Sequence, residues 1–279
     1  MFWTLLRRAT LILLVGSLSK FAWATDSGLR ASAPPKGPVR IAVANPNVQN
    51  RVHDAGKICM NITNRGHFGN DSPGGGDEMT DPCHPGEWAS QAEFPCGSGQ
   101  QYLYMASLWV GALIVEEGFE TKRVSVGTDG WIRDFEEMYP GEGVQDGILE
   151  RSTRPGYYNC LGQYVSHPDA VSDQDFLCAY SDTLRDPFWV PNHPTDGPHR
   201  PLGIKTTQTS YSFSQSFAQD FILIDYEFEN IASNYLKNLY IGLYVDADIG
   251  HLSEQPDWHQ DDICGFVRYF YYERPDGTL

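Results

Sequence analysis

Between Phe221 and Glu229 the chain reads FILIDYEFE, and this alternation limits the possible fold more than any other stretch. In an extended segment Ile222, Ile224, Tyr226 and Phe228 share one face, while Asp225, Glu227 and Glu229 take the other. A period of two suits a half-buried strand and is of no use to a helix. Ile204 to Phe213 (IKTTQTSYSF) has the β-branched and aromatic content of a second strand. Leu239 to Val245 (LYIGLYV) is apolar on both faces, as in a central strand, and a turn across Asn230 to Asn238 would make it the hairpin partner of the alternating segment. Upstream, Lys57 to Thr63 (KICMNIT) reads as a strand, and Tyr102 to Val115 (YLYMASLWVGALIV) as a buried strand or strand pair. The latter turns at Glu116 to Glu120 into a hairpin partner at Arg123 to Gly127 (RVSVG). Trp131 to Tyr139 suits a short helix, and Pro140 to His199 is mostly irregular with brief strand candidates. The expected fold is all-β, a predominantly antiparallel β-sandwich, one large or two joined, with long disulfide-pinned loops.

The N-terminus carries an export signal. Arg7 and Arg8 precede an apolar run at Ala9 to Leu18, and Ala22-Trp23-Ala24 has the small-x-small pattern that places cleavage after Ala24. The apolar run is too short for a bilayer span, which needs about 20 residues, and no later segment of the mature chain has that character. Residues 25–50, with Pro34-Pro35, Pro38 and Pro46, form an extended leader into the fold. The β-sandwich region is expected over 51–279, as one unit or as sub-domains 51–140 and 200–279 joined by irregular 141–199. Ile263 to Tyr272 (ICGFVRYFYY) is a further strand, followed by Asp276-Gly277, a hairpin turn signal with only Thr278 and Leu279 after it. From that unanswered turn the chain is expected to be the N-terminal part of a longer protein.

The formal charge of −16 argues against nucleic acid as a partner, because phosphate binding depends on Lys and Arg. It equally disfavours anionic lipid. Cleavage would remove Arg7, Arg8 and Lys20 and no acid, making the mature chain more acidic still. All of Cys59, Cys83, Cys96, Cys160, Cys178 and Cys264 would survive it, and an even count in an exported chain points to disulfides. Proximity favours Cys83–Cys96 and Cys160–Cys178, leaving Cys59 for Cys264. The rival reading is zinc at Cys83, His84 and Cys96 near His67, against which no Cys-x-x-Cys pair is present.

The chemical motifs point away from a marked enzyme class. Asp71-Ser72-Pro73-Gly74-Gly75 is a glycine-rich loop whose Pro73 does not suit a serine nucleophile, and no Gly-x-Ser-x-Gly elbow, His-Glu-x-x-His helix or phosphate loop occurs. Glu116-Glu117 and Glu136-Glu137 are adjacent, and adjacent strand residues point to opposite faces. His193 and His199 flank Asp196 in a proline-rich loop, where convergence on a metal is not implied. The best metal candidate is an acidic loop, Asp246 and Asp248 with Asp257, Asp261 and Asp262. It could supply the oxygens of a structural calcium site, but its spacing departs from an EF-hand at Gly250 and His251. Trp88 and Trp258 lie in polar loops, where exposed rings could stack on sugars.

Phe94-Pro95-Cys96-Gly97-Ser98-Gly99, Tyr102-Leu103-Tyr104, Leu108-Trp109-Val110-Gly111 and Val124-Ser125-Val126-Gly127 form one set of recurrent motifs. With Asp220 to Asn230 and Tyr240 to Asp248, the chain resembles the N-terminal β-rich region of large exported bacterial proteins of unassigned activity. Those proteins often end in an immunoglobulin-like or secretion-sorting domain, a module not expected within residues 51–279. The resemblance implies export and a β-rich architecture and confers no reaction. The expected function is therefore a secreted or cell-surface structural or adhesive module with cell-surface components as partners, without enzymatic activity. The alternatives are a module binding extracellular polysaccharide, or a secreted hydrolase of glycans or peptides working from the long loops.

Overall fold

The computed structural model describes residues 8–14, 46–70, 79–116, 118–130, 136–141, 147–194 and 196–254, the first of these as backbone alone. Its strands are β1 (Arg8–Leu14), β2 (Asn50–His53), β3 (Cys59–Thr63), β4 (His67–Gly69), β5 (Gln91–Glu93), β6 (Gln100–Gln101) and β7 (Met105–Glu116). There follow β8 (Phe119–Val126), β9 (Leu149–Arg151), β10 (Gln174–Ser181), β11 (Ile204–Ser212), β12 (Phe221–Asn230), β13 (Tyr235–Asp246) and β14 (Gly250–His251). A single 3-10 turn at Leu252–Glu254 is the described helical element. Every strand pair is antiparallel, in a five-stranded sheet ordered β1-β12-β11-β10-β9 and a nine-stranded sheet ordered β13-β7-β4-β3-β5-β6-β14, with β2 on β3 and β8 on β7.

The alternation of FILIDYEFE is realised directly: Ile222, Ile224 and Tyr226 are buried, while Asp225, Glu227 and Glu229 are not. They pack in one core with Phe176, Cys178 and Tyr180 of β10 and Ile204 of β11. From the other sheet come Met60, Ile62, Phe68, Leu108, Val110 and Ile114. Two sheets sharing one apolar interior form a β-sandwich, and this core draws on all three stretches of chain before, within and after 141–199. The β7–β8 hairpin forms as the sequence implies, with Trp109 opposite Val126 and Glu116 opposite Phe119.

Three local expectations are corrected. β12 and β13 are not a hairpin: β13 crosses to the other sheet and pairs β7, from Tyr235 opposite Val115 to Asp246 opposite Met105. The cause is the turn between them. Asn230 donates to the Asn234 carbonyl at 2.9 Å and accepts from Ala232 N–H at 3.0 Å, and Ile231 N–H donates to the Gly203 carbonyl at 2.8 Å. The chain is thus swung off the first sheet. Nor is β13 central; it is an edge strand whose Leu236, Leu239, Leu243 and Val245 reach the core while Tyr240 and Ile241 are exposed. The helix expected at Trp131 to Tyr139 lies mostly outside the described residues, and the described part is not helical: Tyr139 makes a β-bridge with Ser181.

Gly69 ends β4 with φ at 83°, and a Cβ there would stand 2.7 Å from the Tyr104 carbonyl oxygen, so this approach of β4 to β7 requires glycine. Asn70 next to it donates to the carbonyls of Met79 and Ala89 at 2.9 and 3.1 Å and accepts from Met79 N–H at 2.9 Å. One buried amide thereby anchors both ends of the long glycine-rich loop to the sandwich.

Candidate functional site

The ionisable side chains that the fold gathers are mostly turned inward. Glu136 is buried and pairs with the Arg65 guanidinium; the Tyr139 hydroxyl donates to it at 3.3 Å, and His67 Nδ1 stands 3.7 Å from its other oxygen. Burial pushes the Glu136 carboxyl upward, but the Arg65 charge, His67 and Tyr139 outweigh it, and the net direction is down. This is a charge-neutralised ion pair inside the protein, without the solvent access a reacting carboxylate needs.

A second cluster has the residue types of a catalytic triad and a different geometry. Ser125 Oγ donates to Asp182 Oδ2 at 2.7 Å, but His199 reaches Asp182 through that residue's carbonyl, at 2.7 Å from Nε2, and turns Nδ1 to Glu137 at 2.8 Å. The Asp182 carboxylate also accepts from the N–H groups of Leu202, Gly203 and Ile204 at 2.6, 3.0 and 2.8 Å. Ser125 and Asp182 are buried. In a working triad the histidine takes a proton from an accessible serine; here the serine faces the acid. The group clasps the start of β11 to β8 and β10. Burial pulls His199 down, yet the Glu137 hydrogen bond and charge, with Asp182, carry it upward overall. Glu136 and Glu137 therefore serve separate structural clusters.

What the fold turns outward is a pair of stapled loops. A β-bridge between Thr80 and Trp88 closes one, and a bridge between Tyr158 and Tyr164 closes the other. Cys83 in the first and Cys160 in the second are joined by a disulfide, Cα to Cα 5.4 Å. In the first loop Asp81 accepts from Cys83 N–H at 2.7 Å and meets His84 Nδ1 at 2.9 Å, a hydrogen bond that raises the His84 imidazole. In the second, Asn159 is buried. Its oxygen accepts from Leu161 and Gln163 N–H at 3.1 and 2.9 Å and its nitrogen donates to Glu150 at 2.7 Å. On these braced loops Trp88 is 49% exposed, Tyr158 61% and Tyr164 60%, the two tyrosine rings edge to face at 5.2 Å. Such rings present apolar faces with polar rims, the surface that stacks on sugars or partner side chains. Sequence reading singled out Trp88 and missed Tyr158 and Tyr164. Gly156 and Gly162, both at positive φ, lie two residues before Tyr158 and two before Tyr164 and are the local sign of a tight loop.

The disulfide pairing inferred from proximity is corrected. The bonds are Cys59–Cys96 and Cys83–Cys160, while Cys178 is free and buried and Cys264 lies outside the described residues. Pairing of β3 with β5 puts Cys59 opposite Glu93 and so close to Cys96, Cα to Cα 5.0 Å. Strand alternation turns Cys178 into the core, where its Sγ lies 3.7 Å from the Thr63 carbonyl and burial pushes the thiol pKa up to about 12. With Cys83 and Cys96 engaged in disulfides, the zinc arrangement with His84 and His67 does not form. Among the described residues the one metal-competent grouping is Cys59, Glu93 and Cys96, whose two sulfurs are already bonded to each other.

Asp246 ends β13 and accepts from the Tyr244 hydroxyl at 3.3 Å, and Asp248 follows it. Asp257, Asp261, Asp262 and Trp258 lie outside the described residues, as does the loop at Asp71 to Gly75. His193 sits 3.8 Å from Asp129 and 3.6 Å from Asp196, not with His199. No family model, curated protein or solved structure matches the chain. No described helix is long and apolar enough to cross a membrane.

Proposed function

We propose that this protein is an exported structural or adhesive module of the cell surface, acting through its disulfide-braced loops rather than through a reaction. The observation that carries the reading is the stapling of the two aromatic loops by Cys83–Cys160, which holds Trp88, Tyr158 and Tyr164 outward on a sandwich whose charged clusters are paired internally. Disulfides belong to oxidising compartments, in keeping with the signal at Arg7 to Ala24. A calcium ion held by Asp246 and Asp248 with Asp257, Asp261 and Asp262 is part of the proposal; a melting point unchanged by chelator, with no calcium bound, would remove it. Protease shaving of intact cells followed by peptide mapping tests the location. Recovery of the loop peptides with Cys83 and Cys160 cross-linked is expected, and recovery from cytosol with free thiols would refute the reading.

The exposure of Trp88 supports a second reading, a binding module for neutral extracellular polysaccharide. Retention on insoluble glycan in an affinity gel, lost in Trp88→Ala, is the expected result; equal mobility with and without glycan counts against it.

A further inference from the structure

The edge of the five-stranded sheet is closed by a strand that export would remove. β1 pairs antiparallel along β12, with Arg8 opposite Glu227, Thr10 opposite Asp225, Ile12 opposite Leu223 and Leu14 opposite Phe221. Those residues belong to the export signal, Arg8 to its basic start and the rest to its apolar run. β12 lies between β1 and β11, so hydrolysis of the peptide bond after Ala24 would leave it as the edge of its sheet. Its N–H and C=O groups toward β1 would then be unpaired among the described residues, beside core residues Ile222, Ile224 and Tyr226.

We propose that processing opens an acceptor edge on β12, and that this edge takes an extended strand from a partner polypeptide by β-augmentation. The inference rests on the export reading. The chemistry of the partner strand is set by the edge: apolar residues along the Phe221 to Ile224 stretch, and a basic residue near its N-terminal end, opposite Glu227. β12 carries Asp225, Glu227 and Glu229 on its outward face, none of them buried. A strand bearing a cation satisfies that face, whereas a second copy of this acidic chain would bring more carboxylates to it. Main-chain pairing supplies affinity in this mode and alternate side chains supply specificity.

The test uses the chain from Thr25 to Leu279 purified after export, and a fluorescent peptide of the sequence Arg8–Leu14 with a solubilising tail. Saturable anisotropy binding is expected, with slowed amide exchange confined to Phe221–Glu227. A peptide carrying Arg8→Glu should bind about three- to tenfold more weakly, as opposed charges across strands become like charges. A scrambled peptide binding equally well, or amides of β12 already protected in the processed monomer, overturns the acceptor edge. Dimerisation of the processed chain through β12 without peptide binding also overturns it, in favour of a second copy. Fractionation with N-terminal sequencing separates the two levels: a chain found only in the cytosol and beginning at Met1 overturns the export reading itself, whereas a processed exported chain that ignores the peptide overturns the acceptor edge alone.

Discussion

His53 shows how a single side chain ties the two sheets together and sets a pH limit on the fold. Its Nε2 meets Ser210 Oγ of β11 at 2.7 Å, its Nδ1 meets Gln174 of β10 at 3.1 Å, and its ring stacks on Phe176 with centroids 4.3 Å apart. Burial holds the imidazole neutral, its pKa down at about 3, against a weaker upward pull from the Gln174 hydrogen bond. In the unfolded chain it titrates near ~6.5, so between those values the unfolded state binds more protons. The stability this residue contributes is complete above about pH 6.5 and is lost as pH falls toward 3, about 2 kcal/mol of it by pH 5. Denaturant midpoints measured from pH 8 to pH 4 should fall along that limb, and His53→Leu should flatten it even though its baseline drops with the lost hydrogen bonds. An unchanged slope in the variant would assign the acid sensitivity elsewhere. His199 works in the opposite sense: its raised value adds stability at low pH that is lost as pH rises through it. Nothing in the sequence around Val52-His53-Asp54 distinguishes this histidine from a solvated one, because its burial comes from residues more than a hundred positions away.

Among the elements, β11 and β12 show how far local pattern reaches. In β12 the inward residues are apolar and the alternation reads correctly from the chain alone. In β11 the inward set is Ile204 followed by Thr206, Gln208, Ser210 and Ser212, all buried, so the same period carries polar groups into the interior. Partners meet two of them, the Tyr180 hydroxyl donating to the Gln208 oxygen at 2.9 Å and Ser210 bonding His53, while Ser212 Oγ and the Gln208 amide nitrogen are buried without a hydrogen-bond partner among the described residues. The loops depend on partners in the same way. Cys83–Cys160 closes a span with sequence separation 77, and in the chain-entropy account removing such a cross-link costs about 2–5 kcal/mol. Cys83→Ser with Cys160→Ser should lower the denaturant midpoint accordingly and make the Trp88 and Tyr158 loops the first sites of limited proteolysis. Unaltered cleavage of both loops would show that Asp81 and Asn159 brace them without the staple.

For the whole molecule, the shared interior predicts one cooperative unfolding event. Met60, Ile62 and Val110 pack in the same cluster as Phe176 and Tyr180 and as Ile204 and Ile224, so the parts before, within and after 141–199 should lose structure together. Tryptophan fluorescence and far-ultraviolet circular dichroism should give coincident denaturant transitions; two resolved transitions would divide the sandwich into independent units. The strand character of Ile204 to Phe213 and Phe221 to Glu229, the β7–β8 hairpin and the inward set of β12 were determined by the sequence, because side-chain alternation and turn chemistry act over a few residues. The sheet to which β13 belongs, the partners of Cys59 and Cys83, the isolation of Cys178 and the joining of the Trp88 loop to the Tyr158 loop were decided by the tertiary structure. Each of these depends on closing long loops against a common core, and the free energy that selects one closure over another resides in contacts between distant parts of the chain.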